Sequence, residues 1–405
     1  MQPLQTLSLI PGVKLIVELT GGIGRLDHPC IAQWLKQHGQ LISHLNIQLY
    51  ISEDRLKLRD FCEEAAPCRS MDLTICHRSG QVVDLTDLDP VAGSLLSLAC
   101  STCNLRCGSV TGVSALSNMS QLTALQLEDE DVMAEEPWGF LTSLRSLQQL
   151  MLEVGAGGDP SPLSALTGLT SLHLLSRRRL EAGDPTPFMF SSLQPLSTLQ
   201  RLKVLHLGGY ACGVTSLQGL AGLRNLTQLK LEDTRWLKTL EGIGPGVIEF
   251  SIAIAPDLVR LAGIEGCTSL EKLSLLDCGV CSLHPLMGLT SMRHLKVHGG
   301  KITSLEGLNS MSMQSLSLTH CRSLTHLSGV EHFSALKSLE VEQCGLNSLQ
   351  PLSQLGEAFQ RLRVYHCKGV QEKVLEFPHV QRLDVHVFWS NVKKVVLGGL
   401  DEVWF

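Results

Sequence analysis

The sequence predicts an α/β solenoid with a horseshoe outline. Short parallel strands stack into one concave sheet, 3₁₀ or irregular turns form the convex side, and helix is confined to the N-terminal region. Three observations lead there. Apolar residues recur in the spacing L-x-x-L-x-L along most of the 405-residue chain, at intervals mostly of 21 to 25 residues. Hydrophobic residues make up 44% of the chain but aromatics only 4%, so the core must consist of many thin aliphatic layers. Between the strand motifs the period changes: Val214, Leu217, Leu220, Leu223 and Leu226 fall three apart, which suits 3₁₀ turns, where residues i and i+3 eclipse.

The strand motifs are LTALQL at 122, LQQLML at 147, LTSLHL at 169, LKVLHL at 202, LTQLKL at 226 and VIEFSI at 247. They continue with LEKLSL at 270, MRHLKV at 292, MQSLSL at 313, LKSLEV at 336, FQRLRV at 359 and VQRLDV at 380. Weaker copies begin at Ile42, Cys68 and Leu95, and PLQTLSL stands alone near residue 4. L-x-L is a period-two pattern, a short strand with one buried face. A single such strand cannot bury its leucines, whereas stacked copies share one continuous core.

This pattern resembles the leucine-rich repeat family over nearly the whole chain, in particular the class with about 22 residues per repeat that includes internalins. Two early segments look more helical. His28–Gly39 has Pro29 near its start, Gly39 as a stop and Ile31, Trp34 and Leu35 on one face. A second helical stretch runs from Ser52 towards Pro67. These first units resemble the ribonuclease-inhibitor-type repeats of plant and algal F-box relatives. The expected organisation is therefore residues 1–67 as capping strands and a helical first unit, 68–379 as the repeat array and 380–405 as a C-terminal strand cap.

Fourteen cysteines raise the question of chemistry, because Cys278-Gly-Val-Cys281 has the C-x-x-C spacing of dithiols and zinc half-sites. In the family it resembles, the ninth position of each repeat points inward, and asparagine or cysteine fits there. Counted from each motif start, that position holds Cys76, Cys103, Cys278, Cys321, Cys344 and Cys367. Cys278 is thus expected to be a structural ladder residue, and Cys100-Ser-Thr-Cys103 is explained likewise. A redox or zinc site at Cys278/Cys281 is the minority alternative, and no metal or cofactor is expected. Without a secretion signal the thiols should be reduced. Thr20-Gly-Gly-Ile-Gly24 lacks the lysine of a phosphate-binding loop and reads as a turn.

Positions three, five, seven and eight should line the concave face. Position seven carries Glu128, Glu153, Glu232 and Glu342, and the late strands turn basic. The expected partner-binding residues are Arg361, Arg363, Tyr365, His366, Arg382, His386 and Lys394, together with Lys296, His298 and His320. His298 and His320 lie in adjacent repeats and could approach one another. An acidic run at 128–136 and an insertion at 177–190 are the next candidates.

These features point to a non-catalytic scaffold that binds a protein partner on its concave face, not an enzyme. Alternative roles are the substrate-recognition part of a ubiquitin-ligase adaptor, although no F-box is seen, or a regulatory or axonemal repeat protein. Net charge of −6 and a pI near 6.2 argue against nucleic acid as partner, and no apolar run reaches membrane-spanning length. A cytoplasmic monomer, neither secreted nor membrane-bound, with an axonemal location as a variant, is the resulting expectation. An extended array should scatter X-rays with a radius of gyration well above the about 22 Å of a compact chain this long. A value near that figure in small-angle scattering would overturn the solenoid.

Overall fold

The computed structural model describes residues 15–22, 34–51, 58–77, 82–102, 109–128, 138–153, 159–175, 190–209, 213–308, 312–367, 369–372, 374–386, 394–397 and 403–404. The chain divides into two compact units, Met1–Arg177 and Arg178–Phe405. Both are built from the same element, a short parallel strand whose inward residues are aliphatic.

In the first unit the strands are β1 (Leu15–Gly22), β2 (Ile42–Ile51), β3 (Met71–His77), β4 (Val82–Asp84), β5 (Leu95–Thr102), β6 (Ser109–Thr111), β7 (Ala124–Leu127), β8 (Gln149–Glu153) and β9 (Ser171–Leu175). All but two form one parallel sheet in the order β1-β2-β3-β5-β7-β8-β9, while β4 and β6 pair separately. β1 continues to Gly22, so Thr20-Gly-Gly22 ends a strand. Residues 34–38 are helical, and a second helix is described over Leu58–Ala65; the expected start at Ser52 lies outside the described residues. Its buried residues Leu58, Phe61, Cys62 and Ala65 recur at i, i+3, i+4 and i+7, the stripe that packs a helix against a core. Convex turns are 3₁₀, as in Leu85–Val91, Val113–Asn118 and Ser161–Ala165.

The second unit carries β10 (Val204–Gly208), β11 (Gln228–Glu232), β12 (Glu249–Ala255), β13 (Lys272–Cys278), β14 (His294–His298), β15 (Ser315–Thr319), β16 (Ser338–Glu342), β17 (Arg361–Tyr365), β18 (Val374–Phe377), β19 (Arg382–His386), β20 (Lys394–Leu397) and β21 (Val403–Trp404). From β10 to β17 each strand pairs in parallel with the next in identical register, and β17 pairs with β19. The inward positions, such as Leu273/Leu275, Leu295/Val297 and Leu316/Leu318, are all buried, and each such side chain contributes about 2 kcal/mol. The expected C-terminal cap is corrected in one respect. β20 does not continue the ladder beside β19 but joins β18 and β21 in a separate three-stranded sheet.

The two units end their strands differently. In β2 and β3 the alternation continues, so Leu49 and Ile75, at position eight, are buried. In the second unit position eight is left-handed in every repeat from 202 to 366: Gly209, Asp233, Ile254, Asp277, Gly299, His320, Gln343 and His366. That one conformation reverses the alternation, turning position eight outward and position nine inward. On the convex side, Gly263 caps a 3₁₀ turn at φ 100, where an added Cβ would lie 2.4 Å from the Glu241 amide nitrogen. Gly263→Ala should therefore lower stability by about 2 kcal/mol or more. Gly266→Ala, where a Cβ meets nothing within 4 Å, should leave it unchanged or slightly higher; urea unfolding of the two variants measures the contrast.

Candidate functional site

The solvent face of the C-terminal strands is built by register. Because β13 to β17 and β19 pair residue for residue, their outward side chains form rows at strand spacing of about 4.8 Å. One row runs Lys272, His294, Ser315, Ser338, Arg361, Arg382. The next runs Ser274, Lys296, Ser317, Glu340, Arg363, Asp384, and the third Leu276, His298, Thr319, Glu342, Tyr365, His386.

Charge is balanced along the middle row. Arg363 Nε donates to Asp384 Oδ2 at 3.2 Å and its Nη1 lies 3.9 Å from Glu340 Oε1. Arg382 Nε also reaches Asp384 Oδ2 at 3.2 Å, and Ser317 Oγ donates to Glu340 Oε2 at 2.9 Å. Desolvation works against the Asp384 carboxylate, but hydrogen bonds and the charges of Arg363 and Arg382 outweigh it and hold the carboxyl below its ordinary value. The basic residues expected on the late strands thus stand among acidic ones, Glu340 and Asp384. Arg361 is exposed and has no ion pair among the described residues, and it lies in register beside Arg382. Lys394 is not part of this face: it pairs with Val374 and Trp404 in the separate sheet. Lys296 is exposed, and His366, in the left-handed position after β17, is exposed as well.

His298 and His320 do approach. Their ring centroids are 4.6 Å apart and tilted by 47°. His298 Nδ1 lies 2.7 Å from Thr319 Oγ1, and its Nε2 lies 3.8 Å from Asp277 Oδ1. Nδ1 of His320 is enclosed and has no hydrogen-bond partner among the described residues. Among the described residues no group of three or more His, Cys, Asp and Glu side chains is placed to hold a metal ion.

The cysteines answer the C-x-x-C question. Cys278, Cys321, Cys344 and Cys367 are buried at position nine, and Cys281 is exposed. Cys321 Sγ lies 3.7 Å from the Val297 carbonyl and Cys344 Sγ 3.3 Å from the Leu318 carbonyl, each oxygen on the preceding strand. Burial pushes the Cys278 thiol up to about 11, and contact with Cys321 together with burial raises Cys344, the opposite of what a reactive thiolate needs. Cys76 departs from the expected ladder. β3 is still extended there, and Cys76 Sγ meets Gln48 and Ser101 side chains on neighbouring strands. Cys103 lies outside the described residues, as do most of the 128–136 run and of the 177–190 insertion. Among the described residues of the second unit the other position-nine residues, Thr234, Ala255 and Gly300, are small like cysteine; Tyr210, at the same position of the repeat from 202, lies outside the described residues. Position seven also differs from expectation at Glu153 and Thr319, which are buried.

The first unit has a feature that motif reading passed over. Ser97, Ala99 and Ala124 are short enough to leave a hollow of about 220 Å³ on its concave face, floored by Leu98, Leu125 and Leu150 and walled by Gln126, Gln149, Met151 and His173.

Parallel strands in fixed register, aliphatic inward positions and 3₁₀ returns define a leucine-rich-repeat solenoid. Solved structures agree on the fold. An internalin of Listeria monocytogenes is 17% identical, over 85% of this chain and 89% of its own, with a TM-score of 0.51. A leucine-rich-repeat protein of Leptospira interrogans is also 17% identical, over 88% of this chain and 96% of its own, with a TM-score of 0.57. No family model matches the sequence, and no curated protein matches it. Among the described residues no helix is long and apolar enough to cross a membrane.

The thiols supply a direct test. In the folded protein a maleimide should modify Cys281 within minutes and leave Cys278, Cys321, Cys344 and Cys367 unmodified until denaturant is added, as read by peptide mass mapping. Cys278→Ser should lower stability by about 1–2 kcal/mol, and Cys281→Ser by less than about 0.5 kcal/mol.

Proposed function

We propose that the chain is a non-catalytic protein-binding scaffold that docks a partner on the solvent face of its C-terminal strands. The observation that carries this reading is the row register: Arg361 and Arg382 stand side by side, with Tyr365 four residues along the same strand as Arg361, on the same face. Exposed arginine and tyrosine on one strand face are residue types enriched in interface hot spots. The convex side, by contrast, spends its residues on packing: Leu283, Leu286 and Leu289 are buried there. The ion pairs of Arg363 with Glu340 and Asp384 hold the surface in one arrangement before any partner arrives, which reduces the ordering cost of binding. The leucine-rich-repeat fold of the solved neighbours is consistent with such a role.

A partner with an acidic contact opposite Arg361 would associate faster at low salt. The experiment uses the full chain as bait, with captured proteins identified by mass spectrometry and their affinities measured against variants. Arg361→Glu should weaken the captured partner by about ten-fold or more, Tyr365→Ala should weaken it as well, and both should leave the unfolding midpoint within about 0.5 kcal/mol of wild type. Unchanged affinity in both variants would move the site off these strands.

A further inference from the structure

The rim of the second unit carries one residue that neither packing nor backbone preference accounts for. Position eight is left-handed in eight successive repeats, and the residues there are Gly, Asp, His or Gln at every repeat but one. The exception is Ile254, at φ 55. For a β-branched side chain that conformation is a steric outlier. Ile254 is not taken into the core in return, since 42% of it is exposed. Backbone strain at an exposed apolar position is a pointer to a residue used for contact.

Its surroundings define what it would contact. Ala253 pairs with Leu276 on β13, and Ala255 pairs with Cys278, so Ile254 and Asp277 stand beside each other at strand spacing. Ala253, Ile254 and Leu276 form an apolar island in a row that is otherwise polar: Glu232 lies next to Ala253 on β11, and His298 next to Leu276 on β14.

The charges flanking the island are acidic. Asp233 is occupied by Arg235 Nε at 2.7 Å and Glu232 by Lys230 Nζ at 2.6 Å. Asp277 is different: its side chain is 60% exposed, and its ion pair among the described residues is a long one, 3.8 Å to His298 Nε2. It leaves a carboxylate facing solvent one strand from Ile254.

We infer that this rim is a second docking site, distinct from the Arg361 face, for a protein segment that presents an apolar side chain beside a lysine or arginine. The apolar side chain rests on Ile254 and Leu276, and the cation reaches Asp277 about one strand spacing away. Contacts of this kind gain from burying exposed apolar surface and from charge complementarity at the margin.

The probes are fluorescein-labelled nine-residue peptides with Leu, Ile, Phe or Trp at the centre, flanked on both sides by Lys, by Ser or by Glu. Anisotropy titrations against the full chain should show the best Lys-flanked peptide binding at least about ten-fold more tightly than its Glu-flanked counterpart. Asp277→Asn should remove that preference and leave the Ser-flanked peptide unchanged. Ile254→Asn should abolish binding of all of them while leaving the unfolding midpoint unchanged or higher, because Asn adopts the left-handed conformation readily. A purely structural isoleucine predicts the reverse, a lower midpoint with unaltered peptide affinity. Arg361→Glu should not change these titrations, which separates this site from the face proposed above. The inference is overturned if no peptide binds at millimolar concentration, if Lys- and Glu-flanked peptides bind alike, or if Ile254→Asn retains binding.

Discussion

The second unit depends on one turn, repeated at the end of every ladder strand from β10 to β17. A strand alternates its side chains strictly, so buried residues at positions four and six imply a buried residue at position eight. A left-handed residue at position eight breaks that rule: position nine enters the core and the chain heads for the convex side. The backbone groups of the turn remain paired between repeats. The amides of Gly299, His320 and Gln343 donate to the carbonyls of Thr319, Glu342 and Tyr365 on the following strand. Unpaired buried amides would otherwise cost more than the turn gains.

Position nine then sets a size limit. The space beneath the turn accepts Thr234, Ala255, Cys278, Gly300, Cys321, Cys344 and Cys367. Cysteine suits it because a small apolar side chain with a weak donor can sit against the carbonyls of the preceding strand. Burial raises the pKa of Cys278 and Cys367 and contributes to raising Cys344, which works against thiolate reactivity; Cys321 is lowered instead, by its hydrogen bond with Cys344. A C-x-x-C spacing in a repeat protein is therefore weak evidence for redox or metal chemistry when one member falls on the ladder.

Stacking also governs the surface. Residues 21 to 23 apart in sequence become neighbours across a strand spacing, as Glu340, Arg363 and Asp384 show. Opposite charges brought together in this way neutralise one another and order the side chains, while Arg361 is left exposed beside Arg382. The rows thus separate into structural ion pairs and residues available for recognition, and the Ile254 island adds an apolar surface bounded by Asp277.

The sequence by itself determined where the ladder strands of the repeats lie, because period two over L-x-L is local and each inward pair must be buried; β4, β6 and β18 carry no such motif and were not foreseen. The aliphatic composition and the three-residue spacing after each strand likewise identified stacked layers with 3₁₀ returns. That Cys278, Cys321, Cys344 and Cys367 share position nine was also legible by counting within the repeat, while their inward role was what the resemblance to leucine-rich repeats implied; all four are buried. The tertiary structure alone decided the rest. Left-handed position eight holds Gly, Asp, Ile, His and Gln in different repeats, so no residue type announces it. Cys76 left the ladder because β3 has no left-handed residue at position eight and stays extended through His77. Lys394 left the concave face because β20 found its partners in β18 and β21, and strand partnership is a non-local choice between edges. The neutralisation of Arg363 required two acids from two other strands, a contact that exists only once the strands are stacked in register.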